Sequence, residues 1–177
     1  EKIEVIYNGV DLDKFFKPVN QLNLTNQNQP IWRLGAIGRL TKQKGFDLLI
    51  KALANLPKEI KWQCSIAGIG PQADYLKSLI TRFDLSDRVQ LVGLQTNVSK
   101  FLASLDFLIV PSRWEGLGLV VLEAVAAGVP VVATQIDGIV EIISHQNNGY
   151  LVEAGSVNQL TKGLTDVLTA VSPDKRL

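Results

Sequence analysis

Two carboxylates eight positions apart, Glu115 and Glu123, stand in the apolar stretch PSRWEGLGLVVLEAVAAGVPVVAT over 111–134. Glu123 is flanked by Val121, Leu122, Ala124 and Val125. A carboxylate taken out of water is costly unless it is paired or hydrogen-bonded. No Lys or Arg lies within a helical turn of Glu123, so its partner must come from elsewhere. A ligand with two adjacent hydroxyls, such as a ribose, suits its two oxygens. A salt bridge to a distant Arg, or a small exposed stripe on the helix, would serve as well.

The elements around these acids set what they can do together. Gly116 and Gly118 put Glu115 in a loop, and the run 119–127 reads as a helix that Gly128 and Pro130 stop. On one continuous helix the two acids would be ~12 Å apart along its axis. That is too far for the pair of a retaining glycosidase, which needs roughly 5 Å. With Glu115 in the loop, the helix begins near Gly118, and its free N–H groups attract phosphate. Amides for phosphate and acids for hydroxyls together suit a sugar nucleotide.

A second cluster lies upstream. A strand over 32–38 runs into Gly38-Arg39-Leu40-Thr41-Lys42-Gln43-Lys44-Gly45, and an amphipathic helix follows over 46–56. A cationic loop between strand and helix is a natural phosphate site in an open α/β sheet. Arg39 offers a planar fork of donors and Lys44 a mobile point charge. A merely solvated loop is the plainer reading, and it describes Lys42.

Three other features invite chemistry. Gly68-Ile69-Gly70-Pro71-Gln72-Ala73 fits a relaxed dinucleotide fingerprint after a strand over 62–67. Against it, Pro71 removes one N–H from the cradle, and the next strand ends in Gly93 rather than an acid. The loop is better read as a turn at the cleft edge. Asp11 and Asp13 form an acidic pair with no further ligands nearby, so they read as solvated or capping rather than metal-binding. His145, the only histidine, sits in a polar turn with no triad or metal site around it.

The remaining elements are a strand over 3–7, a polar loop over 21–30, a helix over 72–83 and a strand over 89–92. A short helix over 98–105, strands over 107–110 and 131–134, and a short helix over 139–144 come next. A strand over 150–152 and a helix over 157–170 close the chain. Strands alternating with helices give α/β architecture: a Rossmann-like parallel sheet with helices on both faces. Ligand then binds beyond the strand C-terminal ends.

Composition bounds the rest. The 177 residues suit a single domain, and 46% hydrophobic with 20% charged residues is ordinary globular material. A net charge of +1 gives no reason to expect nucleic acid. The single cysteine, Cys64, lies in an apolar strand and reads as a buried thiol, which agrees with a cytoplasmic setting. The chain lacks methionine and begins inside an apparent strand, as expected of a piece of a longer protein.

Glu115 and Glu123, with seven residues between them in the context EGLGLVVLEAVAAGVPVVAT, resemble the signature of the retaining glycosyltransferases of family 4, the group 1 glycosyltransferases. The resemblance covers nearly the whole chain. It implies the two-domain GT-B fold, of which this would be the C-terminal half. Residues 1–30, including IYNGVDLDKF, resemble the family's linker out of the first domain, and 31–177 the nucleotide-sugar-binding domain. Arg39 and Lys44 match the cations that hold the donor diphosphate, beside Gly38. The amides of Gly118 and Leu119, after Leu117, would stabilise the departing diphosphate, Glu123 would hold the ribose, and Glu115 would orient the sugar. The main chain around Val92 and Leu94 matches the loop that contacts the base.

The expected reaction is a front-face, retaining glycosyl transfer that needs no metal or other cofactor. The partners would be a nucleotide sugar and an acceptor saccharide or lipid-linked acceptor, bound through the missing first domain. Localisation would be cytoplasmic or peripheral at the inner face of the membrane. The fragment alone would turn nothing over. A sugar-nucleotide epimerase, a dinucleotide-dependent enzyme and a non-catalytic nucleotide-sugar sensor are the competing readings.

Overall fold

The structure, a computed structural model, describes residues 8–15 and 31–170. The strand expected over 3–7, the loop over 21–30 and the boundary at 30/31 lie outside the described residues. Six strands, β1 (Trp32–Ile37), β2 (Trp62–Ala67), β3 (Val89–Gly93), β4 (Phe107–Val110), β5 (Val131–Thr134) and β6 (Tyr150–Val152), form one sheet. The order is β3-β2-β1-β4-β5-β6 and every neighbouring pair is parallel. The helices are α1 (Leu12–Phe15), α2 (Phe46–Ala54), α3 (Ala73–Arg82), α4 (Val98–Leu102), α5 (Leu119–Ala126) and α6 (Val157–Ala170).

Parallel strands need crossovers, and the crossovers cover both faces, so the strands are apolar on both sides. Alternation sorts them. Trp32, Leu34, Ala36, Phe107, Ile109 and Val132 join the cluster that contains the buried residues of α2, α3 and α6. Leu108, Val110, Val131 and Ala133 join the cluster of α4, α5 and Phe15 of α1. Each fully buried Leu or Ile, such as Leu34 or Ile109, contributes about 1.5–3 kcal/mol over its exposed state. At the strand N-terminal edge, Asp106 accepts from the Arg33 backbone N–H at 2.7 Å and pairs with its guanidinium at 2.9 Å, which fastens β1 to β4.

Most elements lie where expected. α5 ends as read: Gly128 is left-handed (φ 70°), and its N–H and that of Val129 donate back to Val125 and Ala124. The segment over 139–144 is a correction. It turns without becoming a helix, because Asn148 intercepts the backbone: its Oδ1 accepts from the Ser144 N–H and its Nδ2 donates to the Ile142 carbonyl. The expected helix over 98–105 likewise ends at Leu102, where the Ser104 hydroxyl takes the Phe101 carbonyl at 2.6 Å. Asp11 caps α1, accepting from the Asp13 N–H at 3.1 Å.

Candidate functional site

β1 and β4 are neighbours at the centre of the sheet, yet β1 leads to α2 on one face and β4 to α5 on the other. Where the winding reverses, the loops after the two strands part and leave a crevice, the usual ligand site of an open α/β sheet. Its walls are residues 38–45 and 111–118, the two loops that carry the chemistry of the sequence.

The loops meet through charge. Lys44 Nζ is ion-paired with Glu115 Oε1, and the Ser112 hydroxyl donates to the same oxygen at 2.7 Å. Thr134 at the end of β5 donates in turn to the Ser112 carbonyl at 2.6 Å. The Glu115 side chain is only 6% exposed, so three strand ends converge on one buried carboxylate. Its second oxygen has no protein partner among the described residues. Lys44 carries three donors and spends one on Glu115. Its methylenes pack on Gly38, where a Cβ would lie 3.3 Å from Lys44 Cε.

A second set of contacts stitches the same loops together. Arg113 donates through Nη1 and Nη2 to the two oxygens of Asp47, both at 2.8 Å, and through Nη1 to the Lys42 carbonyl at 2.7 Å. The Arg113 N–H donates to the Gln43 carbonyl at 2.8 Å, and Gln43 Nε2 returns to the Trp114 carbonyl at 3.1 Å. Burial alone would raise the Asp47 carboxyl. The hydrogen bonds and charge of Arg113 outweigh it, and the group sits below the ordinary carboxylate value. Gly45 closes the seam with φ 67°, and a Cβ there would lie 2.0 Å from the Pro111 carbonyl oxygen.

Sequence reasoning missed Asp47, Arg113, Ser112 and Thr134. A signal was present for Asp47. It stands between Phe46 and Leu48 in an apolar helix, the same oddity that singled out Glu123. For the two hydroxyls there was none, since Ser and Thr are ordinary in such loops.

The other expected site residues are spread around this centre. Arg39 is exposed in the loop after β1 and makes no ion pair among the described residues. Gly118 is the N-cap of α5 without a side-chain cap. The Leu119 N–H donates to the Leu117 carbonyl at 2.8 Å, so the Gly118 amide is the freer donor at that helix end. Glu123 lies in the second turn of α5 and is half-buried. Desolvation raises its carboxyl above the ordinary value, and only the charge of Lys14 on α1 works against that. Lys14, on the sequence-distant α1, acts on Glu123 through its charge alone, and among the described residues no hydrogen bond ties Glu123 to the Lys44–Glu115 pair.

Val92 and Leu94 stand at the end of β3, two strands from β1. Leu94 is 65% exposed, and the Val92 carbonyl is taken by Gln95 Nε2 at 2.9 Å. The loops nonetheless form one continuous rim, with the Gly38 N–H donating to Ala67 and the Gly68 N–H to Gly93.

The fingerprint at Gly68 has a packing cause. A Cβ on Gly68 would fall 1.8 Å from the Gly38 carbonyl oxygen, and one on Gly70 2.5 Å from the Leu40 carbonyl oxygen. These glycines admit the neighbouring loop. Cys64 is buried and its thiol is pushed up to about 12 by desolvation, which leaves it inert. His145 Nδ1 accepts from the Leu151 N–H at 3.0 Å and its ring meets Tyr150 edge-on, a structural use. The described residues contain no group of three or more His, Cys, Asp or Glu able to hold a metal ion.

Residues 23–177 match the family described as glycosyl transferases group 1. The chain is 32% identical to the lipopolysaccharide core biosynthesis mannosyltransferase LpsB of Rhizobium meliloti, covering 97% of this chain and 51% of that protein. It is also 32% identical to the N-acetyl-alpha-D-glucosaminyl L-malate synthase of Bacillus anthracis, over 99% of this chain and 45% of that one. The chain thus spans about half the length of the curated relatives it matches. Among solved structures, Anabaena HepE in complex with UDP-glucose superposes with a TM-score of 0.80 at 29% identity, covering 97% of this chain and 48% of that one. The C-terminal domain of the group 1 protein LpcC from Francisella tularensis superposes with a TM-score of 0.78 at 30% identity, covering 93% of this chain and 89% of that domain. Sequence, sheet order and the crevice at the β1/β4 reversal agree, and this chain belongs to the group 1 glycosyl transferases, with the fold of the C-terminal half of a GT-B enzyme.

Proposed function

We propose that the protein carrying this chain transfers a sugar, with retention at the anomeric carbon, from a nucleoside-diphosphate sugar to an acceptor. In this reading residues 31–177 bind the donor, and residues 1–30 lead out of a first domain that binds the acceptor. The observation that carries the reading is the contact of Lys44 with Glu115 across the reversal point. It sets a cation for phosphate directly beside a carboxylate with one oxygen to spare.

When a glycosidic bond to a diphosphate breaks, charge develops on the departing oxygens. Lys44, Arg39 and the Gly118 amide are the groups to stabilise it, with Leu119 joining once its N–H leaves Leu117. Preorganised donors of this kind are each worth about 10²–10³ in rate. This reading assigns the neutralising work to side chains and amides rather than to a metal. Glu115 orients the sugar and shapes charge at the reacting carbon. Glu123 takes the ribose diol, which would supply the hydrogen bonds its half-buried carboxylate lacks. The main chain at Val92 and Leu94 lines the base. HepE was solved with UDP-glucose and one relative is a lipopolysaccharide core mannosyltransferase. A nucleotide sugar as donor and a saccharide or lipid-linked acceptor fit that company. A cytoplasmic enzyme, peripheral at the inner face of the membrane, fits it too. The chain alone would bind donor weakly and transfer nothing.

The test is calorimetric titration of the full-length protein with UDP, GDP, ADP and NAD, followed by product stereochemistry. One diphosphate should bind, and Arg39→Ala should weaken it about tenfold, a charge-assisted contact of ~1.4 kcal/mol. Binding of NAD alone, indifferent to Arg39→Ala, would overturn the reading.

A further inference from the structure

We propose that Asp47 and Arg113 are positioning residues: their bidentate pair is a latch that holds Glu115 at its working distance from Lys44. Glu115 and Lys44 belong to loops 71 residues apart in sequence, on opposite walls of the crevice. Their own contact is one flexible ammonium on one carboxylate oxygen. Such a contact does not fix a separation, because Lys has a four-carbon stem and no preferred fork.

The latch supplies what that contact lacks. Arg113 stands two residues before Glu115, and Asp47 three residues after Lys44. The planar guanidinium meets the carboxylate with two parallel bonds at 2.8 Å, which sets direction as well as distance. The third bond, to the Lys42 carbonyl at 2.7 Å, ties Arg113 to the backbone of the very turn that carries Lys44. Asp47 is 9% exposed, and Lys51, at 3.9 Å, is too distant to replace Arg113. The other contacts between the two walls are backbone or amide: Arg113 N–H to Gln43, Gln43 Nε2 to Trp114, and Gly45 beneath Pro111. The Ser112 hydroxyl holds Glu115 only from within its own loop and does not span the seam. Neither latch residue faces the ligand in this scheme, so neither is catalytic. The inference rests on the donor-binding reading for its effect on turnover, but not for its effect on geometry.

The experiment uses the full-length protein with Asp47→Asn, Arg113→Gln, the double variant and Arg113→Lys. The neutral double variant keeps the seam foldable, since no buried charge is left alone. Turnover per active site is measured with the sugar nucleotide that matches the diphosphate identified above, UDP, GDP or ADP. Affinity for that diphosphate is measured beside it. Displacement of Glu115 by about an ångström lowers kcat on the order of 100-fold. Diphosphate affinity should stay within about twofold, since Arg39 and the helix amides remain. The singles and the double should lose alike, as members of one unit do. Arg113→Lys, which keeps the charge and loses the fork, should fall between.

A lower melting temperature with unchanged kcat per active site would make the pair merely structural and overturn the proposal. Additive losses would do the same. A ligand-free crystal structure of the double variant decides the geometry without any reaction. The Lys44–Glu115 contact should open, whereas an unmoved 111–115 loop sinks the latch. Failure of the wild type to bind any diphosphate would end the functional reading and leave that structural arm to decide the latch alone.

Discussion

Two glycine-bearing turns sit on the same sheet edge and differ in what approaches them. After β2, the glycines at 68 and 70 admit the backbone of the neighbouring loop, at Gly38 and Leu40. After β1, the glycines at 38 and 45 admit a lysine stem and the Pro111 carbonyl of the β4 loop, and Lys44 and Asp47 beside them are paired across the crevice. The first turn has the spacing of a nucleotide fingerprint and no charged residue among its own six, 68–73. The second has no fingerprint and an ordered set of charges. Glycine spacing reports that something comes close. The charges nearby tell whether that something is a ligand or the protein itself.

Substitutions can break or sharpen this contrast. The largest effect is expected from Lys44→Ala in the full-length protein. Transfer should fall about 10²–10³-fold, measured as kcat/KM, with the fold intact by circular dichroism. A fall of less than tenfold would put the β1 loop on a par with the β2 loop. Next comes Gly68→Ala. Its Cβ meets backbone that has no flexible end to yield, and φ 141° is unfavourable for alanine. Stability should drop by about 2–3 kcal/mol in denaturant titration, while the folded fraction keeps its diphosphate affinity. Lost affinity at full folding would return the β2 loop to the ligand.

The smallest effect is at Glu123, and its sign is worked out from burial. Desolvation raises the folded carboxyl above its ordinary 4.5, so the native state holds its proton longer than the unfolded chain. Stability contributed by Glu123 therefore falls as pH rises from 4.5 through the raised value, and the cost is complete above it. Glu123→Gln should stabilise the fold at pH 7 by less than about 1 kcal/mol after solvent screening, seen as a higher melting temperature, and leave it unchanged near pH 3. Diphosphate affinity should drop about tenfold, ~1.4 kcal/mol. A variant neither more stable at pH 7 nor weaker in binding would remove the ribose role.

Much of the fold was legible because parallel strands buried on both faces leave uninterrupted apolar runs, as over 107–110 in β4 and 131–133 in β5, and helices such as α6 leave a periodic stripe. What misled was local. Asn148 lies four residues beyond Ser144, and a side chain that steals backbone partners leaves no periodic trace, so the turn over 139–144 read as a helix. In the site, Glu115 stood out through the family signature and Lys44 through the same resemblance, since a loop cation alone reads as solvated. Asp47 and Arg113 did not, because each looks like a helix-start acid or a loop cation until the fold sets them face to face. The lysine whose charge acts on Glu123 was equally hidden, since α1 lies more than a hundred residues upstream.

The hydrogen at Gly45 has a consequence for how such a chain can change. With the Pro111 carbonyl where a methyl group would go, the narrowest point between the two walls accepts no side chain at all. Sequence drift is therefore shut out of the throat and diverted to the lips, at Lys42, Trp114 and Leu94, whose side chains stand in solvent. New preferences can be written there by single substitutions without reopening the joint that keeps the two loops in step.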